Sequence, residues 1–194
     1  MTSGHGHAEL PVAARVRRLE ERVIGAGLAS DQQLDAVLAR LYQHASPRSG
    51  ARIVARAWLD AGYRDRLRTD GNAAAAELGF PVSGYQLKVV ANEPGRHNLI
   101  VCTLCSCYPV SLLGPSPSWY KSLAYRSRAV REPRPVLAEF GLVLPAETEI
   151  LVWDANSERR YLVLPRRPEH TEGMPEEELA GLVTQGGLIG TAAV

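Results

Sequence analysis

The chain has 194 residues, 45% of them hydrophobic and 22% charged, enough apolar content for one core without disulfide or metal staples. Lysine and arginine total 22 against 21 acidic residues, a net charge of +1 that gives no electrostatic argument for nucleic acid or an anionic membrane surface. No apolar run approaches the roughly 20 residues needed to span a bilayer. The first residues, MTSGHGHAEL, have neither a basic start nor an apolar stretch, so they do not read as a secretory leader and a cytoplasmic protein is expected.

Val12, Val16, Leu19 and Val23 recur at helical spacing after Pro11, with Gly25 and Gly27 as stop signals. Ser30-Asp-Gln-Gln33 reads as a capping box for a second helix striped by Leu34, Val37, Leu38 and Leu41. Two such short helices cannot bury both stripes on each other, so residues 1–49 are expected to form an arm that wraps another chain. Pro47–Gly50 reads as a break, and residues 50–194 as the main domain. A third helix should pass through Ile53, Val54, Ala57 and Trp58, and Asp70 should cap a short alanine-rich helix ended by Gly79.

The period then changes. Tyr85, Leu87, Val89 and Ala91 alternate as in a strand, Pro94-Gly95 turns, and Asn98–Val101 reads as a second strand. A Pro/Gly-rich loop (YPVSLLGPSPS) leads to Trp119 and Tyr120, followed by the arginine-rich YRSRAVREPR and a short helix through Val136, Leu137 and Phe140 ending at Gly141. Ile150–Trp153 and Tyr161–Leu164 are expected to pair across a tight connection. Pro175 should open a last helix whose first turn is acidic and whose stop is Gly186-Gly187. Helices, then strands, then helices predict an α+β fold, a mixed α/β layered domain after the helical arm.

All three cysteines, 102, 105 and 107, fall within six residues directly after the second strand. Three cannot all pair within one chain, and a disulfide framework would spread them out. A C-x-x-C step followed by C-x-C lets three sulfurs converge on one ion, with the peptide nitrogens of Ser106 and Cys107 beside them. Structural zinc or an iron–sulfur cluster usually takes four protein ligands, and no second C-x-x-C exists; His97 lies before the strand with nothing to require it as a fourth. A metal site is the favoured reading and thiol redox chemistry the other. Soft sulfur favours a transition metal, and an incomplete ligand set points to catalysis rather than structure. Arg126, Arg128, Arg131 and Arg134 are expected to pair with carboxylates across a subunit contact or to point to solvent, rather than to form an anion site.

V-C-T-L-C-S-C-Y-P (101–109) resembles the metal-binding claw of nitrile hydratase alpha subunits. W-Y-K-S (119–122), Y-R-S-R (125–128) and V-R-E-P-R (130–134) resemble that family in the same order, as do G-A-R-I-V-A-R-A-W (50–58), A-E-L-G-F (76–80), R-P-E-H-T-E-G (167–173) and L-I-G (188–190). The resemblance implies a low-spin trivalent metal, one per chain, on Cys102, Cys105, Cys107 and the backbone nitrogens of Ser106 and Cys107. It further implies a sulfinate at Cys105 and a sulfenate at Cys107. Arginines from a beta-type partner subunit, in one chain or split into two, would hold their oxygens. Thr103 and Tyr108 match cobalt members, so Co(III) is expected ahead of Fe(III). The implied reaction adds water to a nitrile to give an amide; metal-bound hydroxide, a second-sphere water and the Cys107 sulfenate are alternative nucleophiles, with Cys107, supported by Ser106, favoured. A thiocyanate hydrolase subunit carries a very similar motif, and a cobalt carrier without turnover is a third reading.

The chain departs from the family pattern in places. Val110 stands where cobalt members have a pocket tryptophan and Ser111 where they have proline, which implies a larger pocket, suited to a bulkier, heteroaromatic nitrile. Val110, Trp119 and Tyr125 are the candidate pocket residues. His170 replaces a common glycine, and Gly186-Gly187 an Asp-Cys pair.

Overall fold

The structure, a computed structural model, describes residues 11–43 and 45–194; His5, His7 and His44 lie outside them. The chain divides into two compact units, Met1–Leu41 and Tyr42–Val194. In the first, α1 spans Val12–Gly25 with Pro11 at its N-cap, and Gly27 at φ 68° follows its end. Helix α2 begins at Asp31 behind a complete capping box: Gln33 N–H donates to Ser30 Oγ (3.2 Å) and Ser30 N–H to Gln33 Oε1 (2.8 Å). Of the predicted stripe residues, Val16, Leu19, Val37 and Leu38 are exposed, and Val23 and Leu34 are half-buried.

The second unit opens with α3 (Pro47–Leu59). The expected break at Pro47–Gly50 is instead the first turn of this helix. Ser46 accepts from Arg48 N–H, and proline fits the first turn because its missing N–H would be unpaired there anyway. Gly50 is needed for packing: a Cβ would lie 2.8 Å from the Leu112 carbonyl oxygen. Helix α4 (Ala61–Thr69) had no apolar period to announce it, because only Tyr63 and Leu67 of its residues are buried; Asp60 caps it. Asp70 caps α5 (Gly71–Glu77), and Gly79 at φ 81° follows that helix, as expected.

Four strands follow: β1 (Gln86–Ala91), β2 (Arg96–Val101), β3 (Glu149–Asp154) and β4 (Arg159–Leu164). The expected pairing of the last two does not occur. β1 pairs with β4 and β2 with β3, both in parallel. Burial explains the choice. β2 is buried from His97 through Val101 and β4 from Leu162 through Leu164, continuous runs that suit strands covered on both faces rather than a half-exposed hairpin. The linker carries the chain from one sheet to the other: Ala155 N–H extends the β2–β3 ladder to Val101, while Asn156 Oδ1 accepts from the N–H groups of Glu158 and Arg159 and turns the chain into β4. Buried Asn98 bonds Ala91 O, Asn92 Oδ1 and Trp153 Nε1, tying β1, β2 and β3 together.

Between β2 and β3 lie α6 (Val110–Leu113), a 3-10 turn (Ser118–Lys121), α7 (Leu123–Arg131) and α8 (Pro133–Glu139). After β4 come α9 (Glu176–Leu182) and α10 (Gln185–Ile189). Gly186 and Gly187 therefore lie inside a helix rather than stopping one. Thr184 caps α10, and the two glycines leave room for Ala192 and Val194, whose side chains lie 3.1 Å from where their Cβ atoms would be. Acidic residues of α9 also pair across to α3, Glu176 with Arg56 (2.7 Å) and Glu177 with Arg48 (2.9 Å).

Candidate metal centre

The predicted α+β fold places the cysteines in a loop leaving the C-terminal end of β2. Cys102 is the last buried residue of that run, Thr103 through Ser106 are exposed, Cys107 is half-buried and Tyr108 buried again. The chain thus rises out of the core and returns within six residues. All three cysteines are free, and their sulfurs lie within 4.8 Å of one another. Cys105 Sγ is 3.3 Å from Cys102 Sγ and 3.0 Å from Cys107 Sγ. Those separations are too long for disulfides, whose sulfurs sit about 2.05 Å apart. Three sulfurs bound at about 2.3 Å on one face of an ion, at right angles to each other, would sit about 3.3 Å apart. The donor set therefore fits a single soft metal ion.

The electrostatics also favour a cation. Hydrogen bonds from the thiols of Cys107 and Cys102, with help from the peptide N–H groups of Cys107 and Ser106, pull the Cys105 pKa down to about 7. Burial, then the adjoining Cys105, pushes Cys107 up to about 12. Ionising Cys105 and Cys107 together needs positive charge nearby.

Each turn of the claw backbone is held. Asp154, at the end of β3, accepts from Thr103 N–H (2.9 Å) and Thr103 Oγ1 (2.5 Å). Arg126 on α7 donates from Nε to Cys102 O (2.9 Å) and from Nη2 to Thr103 O (2.6 Å). Tyr125 OH donates to Ile100 O (2.6 Å), Tyr120 OH to Cys107 O (3.1 Å) and Arg160 Nη1 to Tyr108 O (2.7 Å). Sequence reasoning missed Asp154, Tyr120 and Arg160. The parallel register that sets Asp154 beside Val101 has no local sequence signal.

The arginine-rich stretch separates into different jobs. Arg126 grips carbonyls of the claw instead of a carboxylate. Arg128 pairs within the chain with Glu132 and Glu139, and Arg134 donates to the carbonyls of Leu144, Pro145, Ala146 and Thr148. His97 is a core residue: its Nε2 meets Gly190 O at 2.7 Å, and burial lowers its pKa. Of the candidate pocket residues, Val110 opens α6 and is half-buried. Trp119 and Tyr125 stack edge-on at 4.8 Å in an aromatic cluster with Tyr120 and Phe140.

Residues 10–192 match the family model described as nitrile hydratase, alpha chain. The chain belongs to the nitrile hydratase alpha-chain family. It is 47% identical over 182 residues to the low-molecular weight cobalt-containing nitrile hydratase subunit alpha of Rhodococcus rhodochrous, covering 93% of this chain and 88% of that one. It is also 47% identical over 158 residues to the thiocyanate hydrolase subunit gamma of Thiobacillus thioparus, covering 75% of this chain and 65% of that one. Among solved structures, a double mutant of the Fe-type nitrile hydratase from Comamonas testosteroni Ni1 superposes with a TM-score of 0.88 at 41% identity, covering 94% of this chain and 89% of that one. The departures from the nitrile hydratase alpha pattern now have a setting. His170 adopts φ 62°, a left-handed conformation that glycine takes freely and histidine only at a cost. Cys102, Cys105 and Cys107, the cysteines of the sequence motif, are brought together in this chain.

Proposed function

We propose that this chain is the metal-carrying catalytic subunit of a cobalt nitrile hydratase, converting a nitrile to its amide by addition of one water. The observation that carries this reading is the convergence of the three cysteine sulfurs at spacings suited to one ion. Cys102, Cys105 and Cys107, with the peptide nitrogens of Ser106 and Cys107, would hold one low-spin Co(III) per chain; three relatives are named as cobalt-containing and the Comamonas testosteroni Ni1 enzyme as Fe-type. When bound, the ion supplies Lewis acidity toward the carbon–nitrogen triple bond.

The chain's own residues do the rest. Cys107, once oxidised to the sulfenate by dioxygen, would present a nucleophilic oxygen to the nitrile carbon, with Ser106, exposed beside it, supporting the attack. Water then attacks the sulfur, restoring the sulfenate as the S–O bond to the substrate breaks, and the released imidic acid tautomerises to the amide. Cys105, oxidised to the sulfinate, remains a spectator ligand. Val110 and Trp119, both half-buried, would line the pocket with buried Tyr125 packed behind Trp119, and the loss of an indole at Val110 would admit a larger heteroaromatic nitrile.

The claw needs a partner to be enclosed. Leu104 is 85% exposed, and Cys105 and Ser106 face solvent. Relatives are named as subunits. A beta-type subunit, in one chain or two, would cover this face and bring arginines to the oxidised sulfurs, while the arm, whose compact unit ends at Leu41 rather than at residue 49, would wrap that partner through Val16, Leu19, Val37 and Leu38. The compact unit Tyr42–Val194, which begins before the expected boundary at residue 50, would form the catalytic domain, and the complex works in the cytoplasm. The equal identity to a thiocyanate hydrolase subunit supports a second reading, the same centre acting on thiocyanate.

A substrate screen separates the readings. The complex, co-expressed with its partner in cobalt-supplemented medium, should hydrate aromatic nitriles and leave thiocyanate untouched, and the isolated chain should be nearly inactive. Turnover of thiocyanate alone would replace the first reading with the second. Cobalt binding with no turnover of either substrate in the assembled complex would reduce the chain to a carrier.

A further inference from the structure

Helix α4 and the segment that follows β4, far apart in sequence, meet around a cavity of about 360 Å³. Four arginines line it, Arg64 and Arg68 from the helix and Arg166 and Arg167 from the segment, against one carboxylate, Glu93. Four minus one leaves three positive charges in excess there, on a chain whose net charge is +1. Arg64 and Arg68 stand four residues apart on α4, a spacing at which like charges destabilise a helix. Glu93 cannot neutralise the group, because it is shared between Arg68 (3.6 Å) and Arg96 (3.4 Å). Arg167 gives Nε and Nη2 to Thr171, and its Nη1 makes no hydrogen bond among the described residues. Arg64 and Arg166, both exposed, have no ion pair among the described residues.

Guanidinium groups gathered around one hollow, with their charge uncompensated, suit an oxyanion. The planar fork of arginine matches phosphate oxygens two at a time, where a lysine would offer only a point charge. The rest of the lining is poor in free polar groups. Trp58 Nε1 already donates to Pro165 O (2.8 Å), and Asn92 commits its amide to Asn98 and His97. Trp58 and Leu164 therefore offer a ligand apolar surface rather than hydrogen bonds. The volume falls within the roughly 300–1,000 Å³ of small-molecule sites, more room than an inorganic anion needs. We infer that this cavity binds a small organic phosphate, with its dianion on Arg64, Arg68, Arg166 and Arg167 and its apolar body against Trp58. An acidic peptide is the poorer fit, since its carboxylates carry one charge each and the four arginines share one hollow instead of forming a line along the surface.

The test is calorimetric titration of the full chain, co-purified with its partner subunit, with phenyl phosphate, inorganic phosphate and hexaglutamate at matched ionic strength. Phenyl phosphate should bind with a Kd of about 1 mM or below, about tenfold tighter than inorganic phosphate, and hexaglutamate more weakly than either. R64Q/R166Q removes the two arginines that pair with nothing else and should weaken phenyl phosphate binding about tenfold or more. R52Q/R131Q removes the same charge from residues that do not line the cavity and should change the affinity less than about threefold. No detectable binding by wild type, or an affinity in folded R64Q/R166Q within about threefold of wild type, would overturn the inference. Equal affinity for phenyl and inorganic phosphate would overturn the organic ligand, and tighter binding of hexaglutamate would replace it with an acidic peptide. If R64Q/R166Q fails to fold, R166Q alone decides, and an affinity within about twofold of wild type there overturns the inference equally. No claw residue lines the cavity, so each result stands whether or not cobalt is bound.

Discussion

Arg126 gives the sharpest test of how the claw is held. Its two hydrogen bonds go to carbonyls of consecutive claw residues, Cys102 O at 2.9 Å and Thr103 O at 2.6 Å. The first acceptor belongs to a fully buried residue and a charged donor there contributes about 1.5–3 kcal/mol; the second, on exposed Thr103, contributes about 0.5–1 kcal/mol. Glutamine at 126 is too short to reach either carbonyl, so R126Q should make local opening of the claw easier by about 2–4 kcal/mol. At 1.4 kcal/mol per tenfold, the opened population rises about thirtyfold at the lower bound. The lower bound is the expectation, because water can enter the opened side and satisfy Cys102 O. Hydrogen exchange of the 102–108 peptide reads this directly, since Thr103 N–H is bonded to Asp154 and Cys105 N–H to Cys102 Sγ. R131Q is the control: Arg131 bonds only the Ser127 carbonyl on its own helix and should change exchange less than about threefold. Claw exchange in R126Q within about threefold of wild type would refute the clamp.

Three further outcomes are expected. Gly190 sits at φ 95°, and a Cβ there would lie 2.0 Å from the Asn98 carbonyl oxygen, backbone that cannot yield; G190A should lose about 3 kcal/mol and 6–12 °C of melting temperature, and a shift under about 2 °C would contradict the packing. Burial holds His97 below its usual value, so the native state binds that proton less tightly than the unfolded chain does. Its contribution is complete above about pH 6.5 and is lost as pH falls through the depressed native value, so H97Q should flatten that part of the stability–pH curve measured by thermal melts, and an unchanged slope would remove His97 as the cause. V110W should narrow the pocket and move the ratio of kcat/KM values about tenfold or more toward small aliphatic nitriles; an unchanged ratio would mean that Val110 does not face substrate.

The claw was legible because its chemistry is local: three cysteines in six residues report their convergence without knowledge of the fold. Helix caps were legible for the same reason, and Ser30, Asp70 and Gly79 stand where their side chains or free φ angles are needed. The strand partners were not. Four short apolar segments admit hairpins or parallel pairs, and the choice depends on burial on both faces, which appears only when the helices are in place. That choice also hid the claw's supports. Asp154 reads as a loop residue until β3 lies beside β2, and Arg160 as a surface charge until β4 lies beside β1. Pro47 and Gly186-Gly187 misled for a different reason. Each can break a helix, but Ser46 and Thr184 supply caps that place them in the first turn of one.

The measurement that tests the central claim most directly is metal analysis by plasma mass spectrometry, paired with intact mass, on the chain co-expressed with its partner in cobalt-supplemented medium. About one cobalt per chain and a gain of about three oxygens, mapped to Cys105 and Cys107, is the predicted result. Zinc or no metal, with three reduced thiols in a correctly assembled complex, would contradict it.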